Sequence, residues 1–185
     1  MSDSLELGKL NFAPVSENPE LVSKTVQEGL NSLSSEQLSK IYSVAIDPNL
    51  ADTAQFCDYY NIGLDISANT IVVKAKRGDR KWYAMCNILA TTKADINSVI
   101  RRHLGAKGVS FAPMDEAVEI TAMEYGGIGP IGAPSDWPII IDSRVKDCEW
   151  AIIGSGIRAS KIALPGWLLG ELPNAEFVED AAIDI

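Results

Sequence analysis

Residues 70–89 read TIVVKAKRGDRKWYAMCNIL, and this segment decides the fold class. Residues 70–76 are rich in β-branched side chains, residues 81–89 have the composition of a second strand, and RGDR between them supplies a polar turn. Two such runs joined by a short turn that contains glycine are typical of a β-hairpin. The segment therefore predicts two paired antiparallel strands.

The chain before the hairpin alternates strand and helix signals. Hydrophobic spacing and turn residues predict a strand in residues 5–14, a helix that opens at Pro19 and runs to Leu33, a short helix at residues 36–40, a strand at 41–47 and a helix at 52–60. The first 45 residues are expected to be an N-terminal extension that packs on the rest of a single domain, residues 1–185.

The chain after the hairpin contains more strands than helices. Thr92 and Asp95 look like a capping box, and an apolar stripe then predicts a helix that Gly105 stops. Further segments predict a strand at 109–111, a helix from Pro113 to about Met123, strands at 138–142, 149–153 and 161–164, and a helix led by Pro165. This order favours an α+β fold with a mixed, mainly antiparallel sheet and flanking helices.

Composition excludes several classes of protein. The 185 residues are 46% hydrophobic and 22% charged, which is ordinary for one globular domain. No apolar run reaches the roughly 20 residues of a membrane helix, and the start MSDSLELGKL has no basic leader, so a cytoplasmic protein is expected. The three cysteines form no CxxC pair and there is one histidine, so no metal site is predicted.

Charge is distributed unevenly along the chain. The net charge is −9, yet residues 68–112 contain nine Lys or Arg residues and two acids, Asp79 and Asp95. A cationic segment on an anionic body can bind a phosphate backbone at one place and repel it elsewhere. The alternative is a solvated surface without a nucleic-acid partner.

Two glycine clusters are candidates for a binding site, GGIGPIG at residues 126–132 and GSG at 154–156. Glycine allows the backbone to approach a ligand closely, so its amides can hold a carboxylate, a phosphate or an oxyanion. Arg158 follows the second cluster and could bind an anion through two hydrogen bonds. Tight turns at strand ends also require glycine, and that explanation stays open for either cluster alone.

The order of these motifs resembles the YbaK/ProX family of aminoacyl-tRNA deacylases, which are related to the editing insert of prolyl-tRNA synthetase. The resemblance covers about residues 52–176 and is carried by the successive segments TIVV (70–73), HLGAKGV (103–109), MDEAVEIT (114–121), GGIGPIG (126–132), PIIID (138–142) and GSGIR (154–158). It implies a partly closed sheet and hydrolysis of the ester of mischarged tRNA.

The resemblance also implies the residues of the site. Asn69, Gly127 and Gly129 take the positions expected to be catalytic. The glycine loop would contribute substrate-binding residues Gly126, Ile128, Pro130 and Gly132. The second cluster would contribute Gly154, Ser155, Gly156 and Arg158. Backbone amides of the first loop would polarise the ester carbonyl and stabilise the tetrahedral oxyanion, and no cofactor would be needed.

The basic middle segment gains a role from the same resemblance, as a docking surface for the acceptor end of tRNA. The residues expected to contact tRNA are, on the hairpin, Lys74, Lys76, Arg77, Arg80 and Lys81. Those beyond the hairpin are Arg101, Arg102 and Lys107. A synthetase is a further candidate partner, and no membrane partner is expected.

Asn69 departs from the family pattern, in which many active members carry lysine directly before the TIVV-like strand. Asparagine keeps a hydrogen-bond donor but has no charge. Two readings follow: an editing hydrolase with another donor set, or a catalytically silent member that binds tRNA or an aminoacyl ligand. Hydrolysis of a small ester unrelated to translation is a third.

Overall fold

A computed structural model describes residues 3–185, so the first two residues of the predicted extension lie outside the described part. The strands are β1 (Leu5–Leu7), β2 (Leu10–Pro14), β3 (Tyr42–Ala45), β4 (Ala68–Arg77), β5 (Arg80–Leu89), β6 (Thr92–Ala94), β7 (Gly108–Phe111), β8 (Ile139–Asp142), β9 (Ala151–Gly154), β10 (Ser160–Leu164), β11 (Ala175–Val178) and β12 (Ala182–Asp184). The helices are α1 (Lys24–Asn31), α2 (Ser35–Leu38), α3 (Thr53–Tyr60), α4 (Val99–His103), α5 (Met114–Thr121) and α6 (Ser143–Lys146). Short 3-10 helices cover Val15–Glu17, Pro19–Leu21, Pro48–Leu50 and Gly166–Glu171.

The hairpin predicted from residues 70–89 is confirmed and forms two adjacent inner strands of a five-stranded sheet. Strands β4 and β5 pair antiparallel over their full length, from Ala68 opposite Leu89 to Arg77 opposite Arg80. The sheet order is β11-β8-β5-β4-β7, in which β8 pairs parallel with both β5 and β11. The hairpin thus sets the direction of the strands around it.

A second sheet has the order β1-β2-β3-β10-β9, and all its pairs are antiparallel. Strands β1, β2 and β3 come from the first 45 residues, so that segment supplies part of the sheet as well as α1 and α2. Treating residues 1–45 as an extension of a minimal domain stays a prediction.

The two sheets meet at one edge, where a parallel bridge joins Ser67 to Ile152. The amide of Ile152 donates to the carbonyl oxygen of Ile66 at 2.8 Å. This contact brings the start of β4 beside β9 and encloses an apolar core that includes Met85, Ile141 and Ile153, each at most 1% exposed. The α+β fold with a mixed, mainly antiparallel and partly closed sheet is therefore confirmed.

Helix α1 forms where a capping residue precedes an apolar face. The Ser23 hydroxyl accepts a hydrogen bond from the amide of Val26, and Val26 and Leu30 are buried on the side that faces the core. A side-chain cap satisfies one of the free amides at a helix start. The predicted helix start at Pro19 is wrong. Residues Pro19–Leu21 form a separate 3-10 turn, and α1 begins at Lys24.

The predicted helix start at Thr92 is also wrong. Residues 92–94 form β6, which pairs antiparallel with β12 at the far end of the chain, and the Thr92 hydroxyl donates to the carbonyl oxygen of Leu89 at 2.7 Å. The helix begins only at Val99, after Asp95 accepts a hydrogen bond from the amide of Ser98. Pairing with a strand distant in sequence overrides the local capping signal.

The end of the chain differs from the predicted helix led by Pro165. A 3-10 segment, Gly166–Glu171, is followed by the two strands β11 and β12. Both strands are short and neither shows a clear alternation of apolar residues, so their sequence alone gives little signal. In the described part of the chain, no helix is both long and apolar enough to span a bilayer.

Candidate functional site

The two glycine clusters lie in direct contact. A methyl group on Gly129 would be 2.9 Å from the carbonyl carbon of Gly154, and one on Gly154 would be 2.5 Å from the carbonyl oxygen of Gly127. Real Cβ atoms do not come that close to backbone atoms, so only glycine fits at these two positions. The clusters are thus two sides of one backbone junction.

Hydrogen bonds inside the junction use part of its amides. The amide of Gly127 donates to the carbonyl oxygen of Glu124 at 2.9 Å, and the amide of Gly156 donates to the carbonyl oxygen of Gly127 at 2.7 Å. The amide of Gly129 lies 3.5 Å from the Met123 sulfur. Within residues 3–185, the amides of Gly126 and Ile128 have no acceptor. Of the four loop amides that the resemblance implies as donors, those of Gly126 and Ile128 thus remain available to a ligand, whereas those of Gly127 and Gly129 have contacts within the turn. A catalytic role for Gly127 and Gly129 stays a prediction.

A cavity of about 210 Å³ opens beside this junction. Its wall combines the start of α3, the start of β4, the first glycine loop, the end of β9 and the start of β10, through Asp52, Thr53, Phe56, Asn69, Gly126, Ile128, Gly154 and Lys161, among others. Segments from distant parts of the chain thus meet around a space of the size of a small acyl group.

Asn69 lies on the cavity wall as the second residue of β4. Its side-chain oxygen accepts a hydrogen bond from the Thr53 hydroxyl at 2.6 Å, and its backbone carbonyl accepts one from the Asn87 side chain at 3.3 Å. These contacts hold the side chain against the first turn of α3. Its role in catalysis stays a prediction.

Lys161 is a cavity residue that the sequence analysis did not single out. It lies on β10 and is 8% exposed, and its Nζ atom donates to the carbonyl oxygen of Ala51 at 3.1 Å. Nζ also lies 5.2 Å from the centroid of the Phe56 ring. Burial lowers the pKa of this ammonium group to about 8. The available signal was a lysine within an apolar strand, SKIAL, since such a position is normally buried.

Arg158 contacts two residues of the cavity wall, Asp52 and Tyr125, and connects three segments of the chain. Its guanidinium donates to the backbone oxygens of Tyr125 at 3.0 Å and Pro48 at 3.1 Å, and its Nη1 atom lies 3.8 Å from a carboxylate oxygen of Asp52. It also lies 5.3 Å from the Tyr125 ring centroid. The side chain is therefore positioned to hold the loop at the mouth of the cavity.

The remaining predicted substrate-binding residues lie away from the cavity wall. Pro130 and Gly132 line a separate depression beside α1, and Ser155 is fully buried, with its hydroxyl 2.6 Å from that of Ser160. Gly156 packs against Ser23 at the start of α1. These residues belong to the two glycine clusters but do not line the cavity. A direct contact with substrate stays a prediction for each.

The predicted tRNA contacts cluster at the other end of the hairpin. Four of them line one depression of about 290 Å³ with Gly105 and Ala106, namely Arg77, Arg101, Arg102 and Lys107. Lys74, Lys76 and Lys81 line a neighbouring depression with Trp82 and Tyr83. The Arg80 guanidinium lies 4.6 Å from the Trp82 ring centroid.

Among the predicted tRNA contacts, and within residues 3–185, Lys74 differs from the others because its charge is already paired with a carboxylate. Its ammonium lies 3.0 Å from a carboxylate oxygen of Glu116, and the Tyr83 hydroxyl donates to the same carboxylate. The hydrogen bond from Tyr83, followed by that from Lys74, holds the pKa of Glu116 below its usual value. The carboxylate in turn raises the pKa of Tyr83.

The fold, the glycine junction and its cavity together define an editing-type domain, and the chain belongs to the aminoacyl-tRNA editing domain family, whose sequence model matches residues 47–172. The resemblance to YbaK/ProX proteins is thereby confirmed. Over 71 residues, 37% of this chain, it is 44% identical to a proline–tRNA ligase of Lactobacillus johnsonii. Over 56 residues, 30% of this chain, it is 32% identical to one from Streptococcus pneumoniae. The matches span only 12% and 9% of those ligases.

Solved structures share the fold at low sequence identity. A hypothetical protein superposes with a TM-score of 0.73 and 17% identity over 86% of this chain and 100% of its own. A candidate trans-editing enzyme for prolyl tRNA synthetase superposes with a TM-score of 0.68 and 14% identity, over 85% of this chain and 97% of its own. At these identities the superpositions establish the fold alone.

Proposed function

We propose that this protein hydrolyses the ester bond of mischarged aminoacyl-tRNA and acts in trans to the synthetase. The observation that carries the proposal is the glycine junction, in which Gly126 and Ile128 line a cavity of about 210 Å³ and their amides have no acceptor within residues 3–185. Fixed amide donors are the groups that stabilise the oxyanion of acyl transfer. The family supplies the substrate class.

The proposed reaction needs water as its second reactant. The ester carbonyl oxygen points to the amides of Gly126 and Ile128, and a water oxygen attacks the carbonyl carbon. The carbonyl electron pair moves to the oxygen and returns as the bond to the ribose oxygen breaks. One water proton ends on the ribose hydroxyl and the other goes to solvent, leaving a carboxylate. Gly127 and Gly129 act by fixing the turn, and Asn69 orients the substrate.

Strand β4 supports the proposed placement of tRNA. Asn69 lies at the cavity, whereas Lys76 is seven residues further on, about 23 Å along an extended strand. A nucleic acid with its duplex on the basic depressions can thus extend its single-stranded end to the cavity. Phosphate contacts of this kind position a nucleic acid without reading its sequence.

A panel of mischarged tRNAs tests the hydrolysis directly. The purified protein should release the amino acid from at least one of them faster than the spontaneous rate, and a repeat at high salt should slow the reaction because binding to phosphates weakens steeply with ionic strength. Ester loss at the spontaneous rate for every tRNA contradicts the proposal. Loss that is insensitive to salt favours hydrolysis of a small ester instead.

A catalytically silent binding protein is the second candidate, and Asn69 is the observation that favours it. The Asn69 side chain is uncharged and is held by Thr53, so this position brings no cation to the cavity. If the protein only binds, the wild type should retain mischarged tRNA on a filter without releasing the amino acid. Asn69→Lys should then create hydrolysis, with Asn49→Lys, on the outer surface, as the control for added charge.

A further inference from the structure

Lys161 is the only buried lysine among the residues that the structure describes. All five residues of β10 are buried, so the lysine stem runs through the core and its ammonium ends at the cavity. Taking a charged ammonium out of water is costly unless a partner compensates. A lysine in this place therefore requires an explanation.

The protein provides few groups that offset the cost of burying the Lys161 ammonium. Across residues 3–185 no carboxylate lies within 4 Å of Lys161, and the carbonyl oxygen of Ala51 is its one hydrogen-bond acceptor. An ammonium group has three donor hydrogens, so two remain without a protein acceptor. The Phe56 ring stabilises one face of the cation.

A purely structural role explains this arrangement poorly. Holding one backbone carbonyl requires a single donor, which a water molecule or a small side chain can supply without burying a charge. The cavity wall shared with Gly126, Ile128 and Asn69 places the free donors where a ligand would lie. The arrangement places a buried cation with free donor hydrogens on the wall of a cavity that a ligand could occupy.

We propose that Lys161 is a catalytic residue whose ammonium group contacts the acyl carbonyl oxygen of the aminoacyl ester. The inference rests on the proposed function, and it supplies to the cavity from β10 the charge that Asn69 lacks. As water attacks the carbonyl carbon, the developing oxyanion gains a cationic donor beside the amides of Gly126 and Ile128. No proton is transferred from Lys161, so the balance of the reaction is unchanged.

The protonation of Lys161 gives the reaction a characteristic pH dependence. The titratable groups around the ammonium are Asp52 and Cys57 from the helix side and Arg158 from the loop after β9. Because burial lowers the pKa of Lys161 to about 8, its cation is lost as the pH rises through that value. The wild-type rate relative to that of uncatalysed ester hydrolysis should therefore fall above pH 8.

Lys161→Met tests the inference, since methionine has a similar length, is apolar and suits a buried site. We expect kcat for the best mischarged tRNA to fall by about 10²–10³-fold, the range for loss of one oxyanion donor, with KM changed less than threefold. The residual activity should lose the decline above pH 8. Lys146→Met is the matched control, because Lys146 also lies over a phenylalanine ring, that of Phe177, but away from the cavity.

A binding measurement separates the failure of this inference from that of the proposed function. The probe is 3′-glycylamido-3′-deoxyadenosine, whose amide resists hydrolysis and whose glycyl group has no side chain to clash. In protein labelled with ¹³C-lysine, the Lys161→Met and Lys146→Met spectra assign one Cε resonance each. Adding the probe should shift the Lys161 resonance and leave that of Lys146 in place.

The outcomes are distinct. The inference is supported if Lys161→Met has a reduced kcat and the probe shifts the Lys161 resonance of the wild type. An active wild type with an equally active Lys161→Met, or with an unshifted resonance, overturns it and leaves the deacylase intact. An inactive wild type with a shifted resonance overturns hydrolysis and the catalytic role but supports Lys161 as the ligand contact. An inactive wild type with an unshifted resonance overturns both.

Discussion

Gly129 and Gly154 pack backbone against backbone, so that a methyl group on Gly129 would be 2.9 Å from the carbonyl carbon of Gly154. This contact joins two motifs that are 25 residues apart in the chain. It also fixes the loop that contributes Gly126 and Ile128 to the cavity wall. The geometry of the site therefore depends on the absence of side chains at two positions.

Gly154→Ala should damage the site and the fold together. The added methyl group would be 2.5 Å from the Gly127 carbonyl oxygen, so the loop must move. We expect the free energy of unfolding to fall by about 1–3 kcal/mol, as in other overpacked cores, and deacylation to fall more than tenfold. Thermal unfolding and single-turnover deacylation measure the two effects. Gly108→Ala is the control, because its methyl group would meet the flexible Lys76 side chain. Equal losses of stability and of deacylation rate in the two variants would contradict a specific role for the contact between Gly129 and Gly154.

Glu116→Gln should strengthen the binding of tRNA. The change removes a carboxylate that pairs with Lys74 and frees that ammonium for a phosphate. Each added phosphate contact steepens the plot of log K against log salt concentration by about 0.7–0.9. Fluorescence anisotropy with deacylated tRNA over a salt series measures the slope. Glu36→Gln, which frees the surface residue Lys40, is the control, and an equal effect of the two changes would contradict a specific role for Lys74.

Arg102→Ala should weaken tRNA binding without changing the chemical step. In the described part of the chain the Arg102 guanidinium has no hydrogen-bond acceptor, so its charge is available in the depression that it shares with Arg77 and Lys107. The salt slope should decrease by about 0.7–0.9, and the single-turnover rate at saturating protein should stay constant. Lys40→Ala should leave the slope unchanged. A lower saturated rate for Arg102→Ala would instead place this residue in the reaction.

Lys161→Met should raise stability, with a defined pH dependence. The unfolded lysine keeps its proton up to its ordinary pKa of 10.5, whereas the folded group loses it near pH 8. Burial of the protonated group therefore lowers the free energy of unfolding of the wild type below pH 8. This loss diminishes as the pH rises from 8 to 10.5. The variant should exceed the wild type by about 3 kcal/mol at pH 7, and the excess should disappear near pH 10.5. Urea unfolding at several pH values measures this, and a constant difference would show that burial of the charge is not the cause.

Cys57→Ala should keep the deacylase activity. Cys57 lies behind the cavity wall, its sulfur is 3.3 Å from the Ser67 hydroxyl, and burial raises the pKa of its thiol, so it is a poor nucleophile. Deacylation with saturating substrate should stay within about threefold of the wild type, since no step in the proposed reaction uses a thiol. A loss of two orders of magnitude with unchanged thermal stability would indicate a Cys57 nucleophile instead.

Local signals in the sequence were sufficient for the elements that stabilise themselves. The hairpin at residues 68–89 combines β-branched residues with a glycine turn. The apolar face of α1 indicated a helix, although its start was predicted at Pro19 and lies at Lys24, after the Ser23 cap. The positions of the two glycine clusters in the chain were sufficient to indicate the editing family. The hairpin and α1 each depend on residues close in the chain, and the family resemblance depends on the order of short motifs along the chain, so none of these features requires knowledge of tertiary contacts.

The tertiary structure decided what depends on distant partners. Residues 92–94 form a strand because β12 pairs with them, although the local sequence favours a helix. Within residues 3–185, the amides of Gly126 and Ile128 have no acceptor, whereas a turn hydrogen bond to the carbonyl oxygen of Glu124 uses the amide of Gly127. Lys161 reaches the cavity only because β10 brings it beside α3, more than 100 residues earlier in the chain. Sequence determines local conformation and family, whereas the direction of a donor and the burial of a charge are set by chain segments that meet only in the folded state.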